Sequence, residues 1–357
     1  MIVVIADDLS GAAELAGVAS RHGLTAEVQT ELSWETKADV VCVDTDTRAL
    51  SPKNAARVVR AVAEGVVAAG PEWIFKKCDS VLRGSVLAEG RAVAWVAGKT
   101  RIVILSANPS RGRFVRNGNL FLAGVPLHET AFADDPGHPR TTSSVAEMLG
   151  SDLKEVCTPD AESTADVTRC VAALDDDILP VGGADFFEAL LRARVPNVFF
   201  RSEERAPRTT AGDTLLVCGS AASWGDRRAE AMGLNLPVFA LPYDVAAAIE
   251  TLRTTHQMVI GIGDGAATRG PSPAELVGKL SDAVVQILRE TNVTCLLSEG
   301  GATTAAVMRA MGWTRLEAIK IPAFGVSTMR PVGATGPMFF IKPGSYPWPR
   351  EIWPPTA

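Results

Sequence analysis

The sequence lacks the patterns that mark most metal centres, disulfide frameworks and membrane proteins. Its six cysteines include no pair in C-x-x-C spacing, and its four histidines include no H-x-x-x-H pattern. These absences disfavour a zinc site and indicate free thiols in a reducing compartment. The N-terminus has no basic segment followed by a long apolar stretch, and no apolar run reaches membrane-spanning length. We therefore expect a cytoplasmic protein that does not act at a membrane.

The chain also has no excess of positive charge. Lysine and arginine number 35 against 41 aspartates and glutamates, and the formal net charge is −6. A general nucleic-acid-binding surface needs cationic side chains to neutralise phosphates, so this function is disfavoured. A local basic pocket for a small anion remains compatible with the composition. The length of 357 residues exceeds that of one ordinary core, which predicts two domains.

Short β-rich runs alternate with alanine-rich helical stretches along most of the chain. Strands that are apolar on both faces and alternate with helices predict a parallel sheet covered on both sides. A polar segment at 201–213, "RSEERAPRTTAGD", interrupts the alternation, which then restarts. We therefore predict two α/β domains, 1–205 and 206–357, each with a largely parallel sheet flanked by helices. The active site is expected in the cleft between them.

Polar clusters follow the predicted strands of the first domain. They are "IADDLSG" after the first strand, "DTDTRAL" after the second and "KKCDSVLRGS" after the third. Ligands of open α/β sheets bind beyond the carboxyl ends of the strands, and arginines with carboxylates suit an anionic, hydroxyl-bearing small molecule. The alternative for any single cluster is structural, since Asp-Asp can cap a helix and "DSVLRG" can form a turn with a surface ion pair.

The second domain has loops of small residues after its apolar runs, "CGSAAS", "GIGDG", "SEGGATTAAV" and "KPGSYP". Glycines let backbone N–H groups approach phosphates, and a following helix adds its positive N-terminus. A single Gly-Gly turn is more often structural. No G-x-x-x-x-G-K-[ST] is present, which excludes a P-loop, and "GIGDG" lacks the rest of the dinucleotide fingerprint.

Taken in order, these motifs resemble those of the four-carbon acid sugar kinase family. "IADDLSGA" resembles I-A-D-D-L-T-G-A, and "KKCDSVLRGSVLAE" resembles K-K-x-D-S-T-L-R-G-N-x-x-x-E. "GRFVRNGNLFLAGVPLHETAFADDPGHP" also resembles a family stretch, as do "CGSAAS", "GGATTAAVMRAMG" and, more loosely, "KPGSYP". The resemblance extends over nearly the whole chain. Departures include Val81 in place of a threonine and the proline in the last loop.

The resemblance implies an ATP-dependent kinase that phosphorylates a sugar acid such as a threonate or an erythronate. It places the acid in the N-terminal domain and ATP, with Mg²⁺, in the C-terminal domain. One of Asp7 and Asp8 would orient or deprotonate the attacking hydroxyl, and we favour Asp8. The other would turn back to the helix N-terminus or help to hold Mg²⁺, and Arg83 would assist transfer. The implied substrate contacts are Asp8, Arg48, Lys77, Asp79, Ser80, Val81, Leu82 and Arg83. The implied nucleotide contacts are Ser220, Gly300, Gly301, Ala302, Thr303 and Gly344.

Two other functions are weighed against the kinase. The first is a sugar-acid or nucleotide sensor that kept the fold while its ATP loop decayed, and the divergent "KPGSYP" favours it. The second is an unrelated two-domain dehydrogenase, which the missing G-x-G-x-x-G disfavours. A homodimer is a further expectation, because this fold commonly associates.

Overall fold

Buried apolar runs form the strands, and amphipathic or alanine-rich stretches form the helices between them. The computed structural model describes residues 1–135, 137–150, 152–195, 212–264, 271–319, 326–342, 348–350 and 352–353. Its first strand, Ile2–Ala6, is buried along its whole length. A strand that is apolar on both faces needs cover on both sides, which the following helices supply.

The strands of the described residues are, in chain order, β1 (Ile2–Ala6), β2 (Ala26–Gln29), β3 (Val40–Asp44), β4 (Trp73–Lys77), β5 (Arg101–Leu105), β6 (Arg113–Arg116), β7 (Asn119–Leu122), β8 (Val125–Pro126), β9 (Val156–Cys157), β10 (Ile178–Gly182), β11 (Asp213–Cys218), β12 (Val238–Ala240), β13 (Gln257–Gly261), β14 (Val293–Glu299), β15 (Arg315–Ala318), β16 (Ser327–Pro331) and β17 (Met338–Lys342). The α-helices are α1 (Leu9–Arg21), α2 (Pro52–Ala68), α3 (Val86–Val96), α4 (Val145–Leu149), α5 (Thr164–Ala172), α6 (Ala184–Arg194), α7 (Ala221–Gly233), α8 (Val245–Thr255), α9 (Pro273–Glu290) and α10 (Gly301–Met311).

The chain divides into two compact units. The first comprises residues 1–26 and 32–200, and the second comprises residues 27–31 and 201–357. In the first unit the strand order is β3-β1-β4-β10-β5-β9, and every neighbouring pair is parallel. A small antiparallel sheet, β6-β7-β8, lies outside this series.

The second unit begins with a parallel series, in the order β12-β13-β11-β14-β17. Beyond β17 the pairing becomes antiparallel through β16, β15 and β2. The last of these strands comes from residues far earlier in the chain, and Arg315 donates two hydrogen bonds of 3.0 Å to the Glu27 carboxylate beside it.

The expected fold class is confirmed, since both units are α/β with largely parallel sheets and covering helices. Helix α2 begins after Ser51, with Pro52 in its first turn. The antiparallel strands of the second unit are a finding that the alternation did not predict. The domain bounds 1–205 and 206–357 stay a prediction.

A buried ion pair joins α3 to the central sheet of the first unit. Lys76 Nζ lies 2.8 Å from Glu89 Oε2, and both side chains are 1% exposed. We expect Glu89→Gln to lower the free energy of unfolding by about 3–5 kcal/mol, because it leaves the lysine charge buried and unpaired. Urea unfolding at neutral pH measures this change.

The control for this prediction is the exposed pair of Arg60 and Glu64 on α2. Glu64→Gln should change stability by less than about 1 kcal/mol. The double variant Lys76→Met/Glu89→Leu should recover most of the loss, because it removes both charges. A double variant as unstable as Glu89→Gln would contradict the assignment.

Candidate active site

The carboxyl ends of β1, β3 and β4 bring their polar side chains to one edge of the first sheet. The three strands run parallel, with Ala6 in register with both Asp44 and Lys77. The segments that follow therefore start side by side, and they contain Asp7, Arg48 and Asp79. This is the edge at which open α/β sheets bind ligands.

Arg48 connects the carboxylates of this edge. Its Nε donates to Asp7 Oδ2 at 2.6 Å and its Nη2 to Asp8 Oδ1 at 2.7 Å. Its Nη1 lies 3.8 Å from Asp79 Oδ1. Burial alone would raise the pKa of the Asp7 carboxyl, but Arg48, with Lys76 and Lys77, brings it below its ordinary value. Asp7 therefore stays ionised although it is almost inaccessible to solvent.

Asp79 and Arg83 form a second ion pair beside Arg48, and together with Asp7 and Asp8 these residues make up one network of charged side chains. Arg83 donates to both carboxylate oxygens of Asp79, at 3.0 and 2.8 Å, in a bidentate pair. The backbone N–H groups of Val81 and Arg83 also donate to Asp79 Oδ2, both at 3.2 Å. Burial opposes ionisation, yet Arg83 and Arg48 hold the pKa of Asp79 well below its usual range. The turn 79–83 is thus organised around one ionised carboxylate.

Asp8 is the N-cap of α1. Its Oδ1 accepts from the Gly11 N–H at 2.9 Å, and its Oδ2 accepts from the Ser10 hydroxyl. The carboxylate that turns back to the helix is therefore Asp8, which the sequence assigned to the substrate, and not Asp7. The side chain of Asp8 is 13% exposed against 4% for Asp7, so Asp8 is the more accessible of the two.

Lys76 and Lys77 point to opposite faces of the sheet because they are neighbours on one strand. Lys76 pairs with Glu89, as described above, whereas Lys77 Nζ lies 3.6 Å from Glu14 on α1. Burial lowers the pKa of Lys77, but Glu14, Asp7 and Asp8 more than offset this and raise it. Lys77 therefore adds a buried positive charge on the side of the aspartates.

The other residues expected at the substrate lie in the turn after Lys77. Val81 and Leu82 have buried side chains, so they can present only backbone groups to a ligand, and Ser80 is partly exposed. Leu82 has a φ of +60°, a left-handed conformation that is uncommon for a residue with a branched side chain. The turn is therefore tightly constrained.

Sequence reasoning missed two residues near this turn and one at the end of β3. Asp135 Oδ2 accepts from Arg83 Nη1 at 3.3 Å, and Arg140 Nη2 donates to the Leu82 carbonyl at 2.8 Å. Asp44 is buried at the end of β3, and burial raises the pKa of its carboxyl to about 8. The only signal for Asp135 was its place in the long stretch that resembles the family, and nothing distinguished Arg140.

The second unit presents two helix N-termini after adjacent parallel strands. Ser220 is the N-cap of α7 after β11, and Gly300 is the N-cap of α10 after β14. Neither helix has a side-chain hydrogen bond at its cap. Gly300 has a φ of +109°, which side-chain-bearing residues rarely adopt, so the turn needs glycine there. N–H groups at such helix ends suit a phosphate.

The other residues that the sequence predicts to contact the nucleotide lie mostly on α10. Gly301 and Thr303 are buried, and Ala302 is exposed. A Cβ at Gly219 would lie 2.0 Å from Thr303 Oγ1, so these two turns are in close contact and only glycine fits at 219. Gly344 lies outside the described residues.

A buried cluster of charged side chains lies at the strand ends that lead into these turns. Lys342 at the end of β17 lies 2.9 Å from Glu299 at the end of β14, and Arg227 of α7 lies 3.2 Å from the same carboxylate. Burial lowers the pKa of Lys342 despite this pairing. The cluster joins two strand ends to the helix that Ser220 begins.

Within the described part of the chain, no three His, Cys, Asp or Glu side chains form a group that could hold a metal ion. Among the same residues, none of the helices has the length and apolar character needed to span a membrane.

Comparisons with known proteins point to one family. Residues 2–179 match the model of the sugar-binding N-terminal domain. The chain is 34% identical over 180 residues to a D-threonate kinase of Bordetella bronchiseptica, which covers 48% of this chain and 44% of that protein. It is 31% identical over 159 residues to a D-erythronate kinase of Heliobacterium modesticaldum, covering 43% of this chain and 36% of that protein. The chain thus spans less than half the length of these two relatives.

A crystal structure of a Haemophilus influenzae protein shares the fold, with a TM-score of 0.72 and 18% sequence identity over 98% of both chains. At this identity the likeness concerns the fold alone.

The depressed pKa of Asp79 predicts how stability depends on pH. An ionised Asp79 stabilises the folded chain fully above the ordinary carboxylate pKa of about 4, and this contribution is lost as the pH falls towards the lower pKa of the folded state. We expect Asp79→Asn to lower the free energy of unfolding by about 3 kcal/mol at pH 7 and by about 1 kcal/mol less than that near pH 3. Denaturant unfolding at both pH values measures the difference.

The matched control is Asp175→Asn, because Asp175 forms an exposed ion pair with Arg101. This variant should stay within about 1 kcal/mol of the wild type at pH 7. An equal loss for Asp79→Asn at both pH values would show that the ion pairs of Asp79 do not account for its effect.

Proposed function

This chain belongs to the four-carbon acid sugar kinase family, and on that premise we propose that it transfers the γ-phosphate of ATP to a hydroxyl group of a four-carbon sugar acid such as a threonate or an erythronate. The observation that carries the proposal is the network of Asp7, Asp8, Arg48, Asp79 and Arg83. It lies at the ligand-binding edge of the sheet, within the segment that matches a sugar-binding domain.

The network supplies what a hydroxylated acid needs. Carboxylates such as Asp8 accept hydrogen bonds from sugar hydroxyls, and positive side chains offset the charge of the acid. The more exposed Asp8 is the base in this proposal, and it takes the proton of the attacking hydroxyl as the new P–O bond forms and ADP leaves. Arg48 holds the Asp8 carboxylate in place. Asp7 pairs with Arg48, and Arg83 pairs with Asp79, so both belong to the same network of charges. Phosphoryl transfer depends mainly on such positioning and charge neutralisation.

The nucleotide in this proposal binds at the turns that Ser220 and residues 300–303 form. The helix N-termini at these turns have no side-chain cap and suit a phosphate chain. Gly344 is included because of the family resemblance alone. Mg²⁺ commonly binds through substrate phosphates and one or two carboxylates, so it requires no preformed cage of side chains. It neutralises phosphate charge when bound.

The test is ADP release from Mg·ATP with a panel of four-carbon sugar acids, run on the wild type and on Asp8→Asn. Asparagine caps helices about as well as aspartate, so this variant can keep the cap of α1 while it removes the negative charge and one acceptor oxygen. We expect turnover with at least one acid and a fall in kcat of about 100-fold or more in the variant. Asp175→Asn, far from the network in sequence and exposed, should keep wild-type kcat.

The outcomes separate the kinase from the sensor. Heat stabilisation by ATP or by a sugar acid without ADP release from any acid of the panel would favour the sensor. Turnover that Asp8→Asn leaves unchanged would remove Asp8 from the base role and leave the kinase intact. No response to ATP, in turnover or in stability, would contradict the proposed reaction.

A further inference from the structure

Arg140 is attached to the turn that the proposed substrate contacts. Its backbone N–H donates to the Phe132 carbonyl at 2.9 Å, which fixes the segment. Its Nη2 donates to the Leu82 carbonyl at 2.8 Å. Leu82 lies in the turn between Asp79 and Arg83, which form an ion pair with each other. The guanidinium therefore lies beside the network although it comes from a segment 58 residues further along the chain.

Arg48, Arg83 and Arg140 differ in the number of carboxylates with which they form ion pairs. Arg48 pairs with Asp7 and Asp8, and Arg83 pairs with Asp79 and Asp135. Arg140 has no carboxylate within ion-pair distance among the residues described here, and its Nε is buried without a hydrogen-bond partner. Its guanidinium thus carries a buried Nε–H without an acceptor and a positive charge that no carboxylate of the described residues neutralises.

The surroundings make this unpaired charge costly. Burial and the nearby Arg83 lower the pKa of Arg140, whereas Asp79 and Asp135, which are already engaged with Arg83, raise it. Burial and Arg140 also lower the pKa of His138, so this neighbour is neutral at pH 7 and adds no competing charge. A bound carboxylate would satisfy Arg140 in the bidentate geometry that guanidinium groups favour.

We infer that Arg140 binds the carboxylate group of the sugar acid and so selects acids over neutral sugars. The inference rests on the proposed function for the identity of the ligand. It gives the two ends of the substrate different partners, because Asp8 contacts the hydroxyl end and Arg140 the acid end. Arg140 is then a specificity-determining residue and takes no part in proton transfer.

The test compares the binding of an acid with that of its amide. Isothermal titration measures the Kd of D-threonate and D-erythronate, and of the corresponding amides, for the wild type and for Arg140→Met. We expect the wild type to bind the acid about 10- to 100-fold more tightly than the amide. Arg140→Met should bind acid and amide alike. Arg116→Met, which removes an exposed arginine paired with Glu162, should keep the wild-type preference.

A purely structural role of Arg140 gives a different result. Loss of its bond to Leu82 would distort the turn and weaken acid and amide by the same factor, which would overturn the inference. An acid preference that persists in Arg140→Met would overturn it too. If the wild type binds an acid but releases no ADP, the kinase proposal fails, and the acid-to-amide ratio still decides the role of Arg140. If it binds neither acid, the inference falls.

Discussion

The charge of one partly buried arginine allows three aspartates to lie close together after neighbouring strands. Asp7, Asp8 and Asp79 lie within 4 Å of Arg48, and without that cation their mutual repulsion and desolvation would oppose the folded arrangement. Arg48 reaches them from the loop after β3, so the pairing also fixes that loop against β1. The Thr47 and Arg48 N–H groups both donate to the Asp7 carbonyl, which holds the same loop through the backbone. The shape of the site therefore depends on a local balance of charge.

This balance has a chemical use. A carboxylate that is held by arginine stays ionised in a buried place and keeps a fixed orientation, both of which a base or a hydroxyl acceptor requires. The cost of burying these charges is met by pairing, so the site is ordered before any ligand arrives. In the proposed reaction, preorganisation of this kind lowers the barrier because little reorganisation remains at the moment of transfer.

The parts of the fold that follow local rules could be predicted from the sequence. The apolar runs predicted parallel strands, and parallel strands brought Asp7, Arg48 and Asp79 to one edge. The cap of α1 could not be assigned to Asp8 rather than Asp7, because the choice depends on backbone angles that the pattern D-D does not encode. Asp135 and Arg140 could not be placed either, since they come from an irregular segment, 52 residues from Arg83 and 58 from Leu82, with no periodicity to position it. Strand β2 is only four residues long and partly polar, which made it indistinct from a loop.

The second unit is not continuous along the chain. Its antiparallel end is completed by residues 27–31, which are synthesised long before the rest of that unit. A fragment that begins after residue 205 would therefore lose β2, one of the two strands paired with β15. This would expose a row of unpaired backbone groups on β15 and leave Arg315 without Glu27. The first 31 residues thus contribute to both units, and a single cut of the chain cannot separate the two.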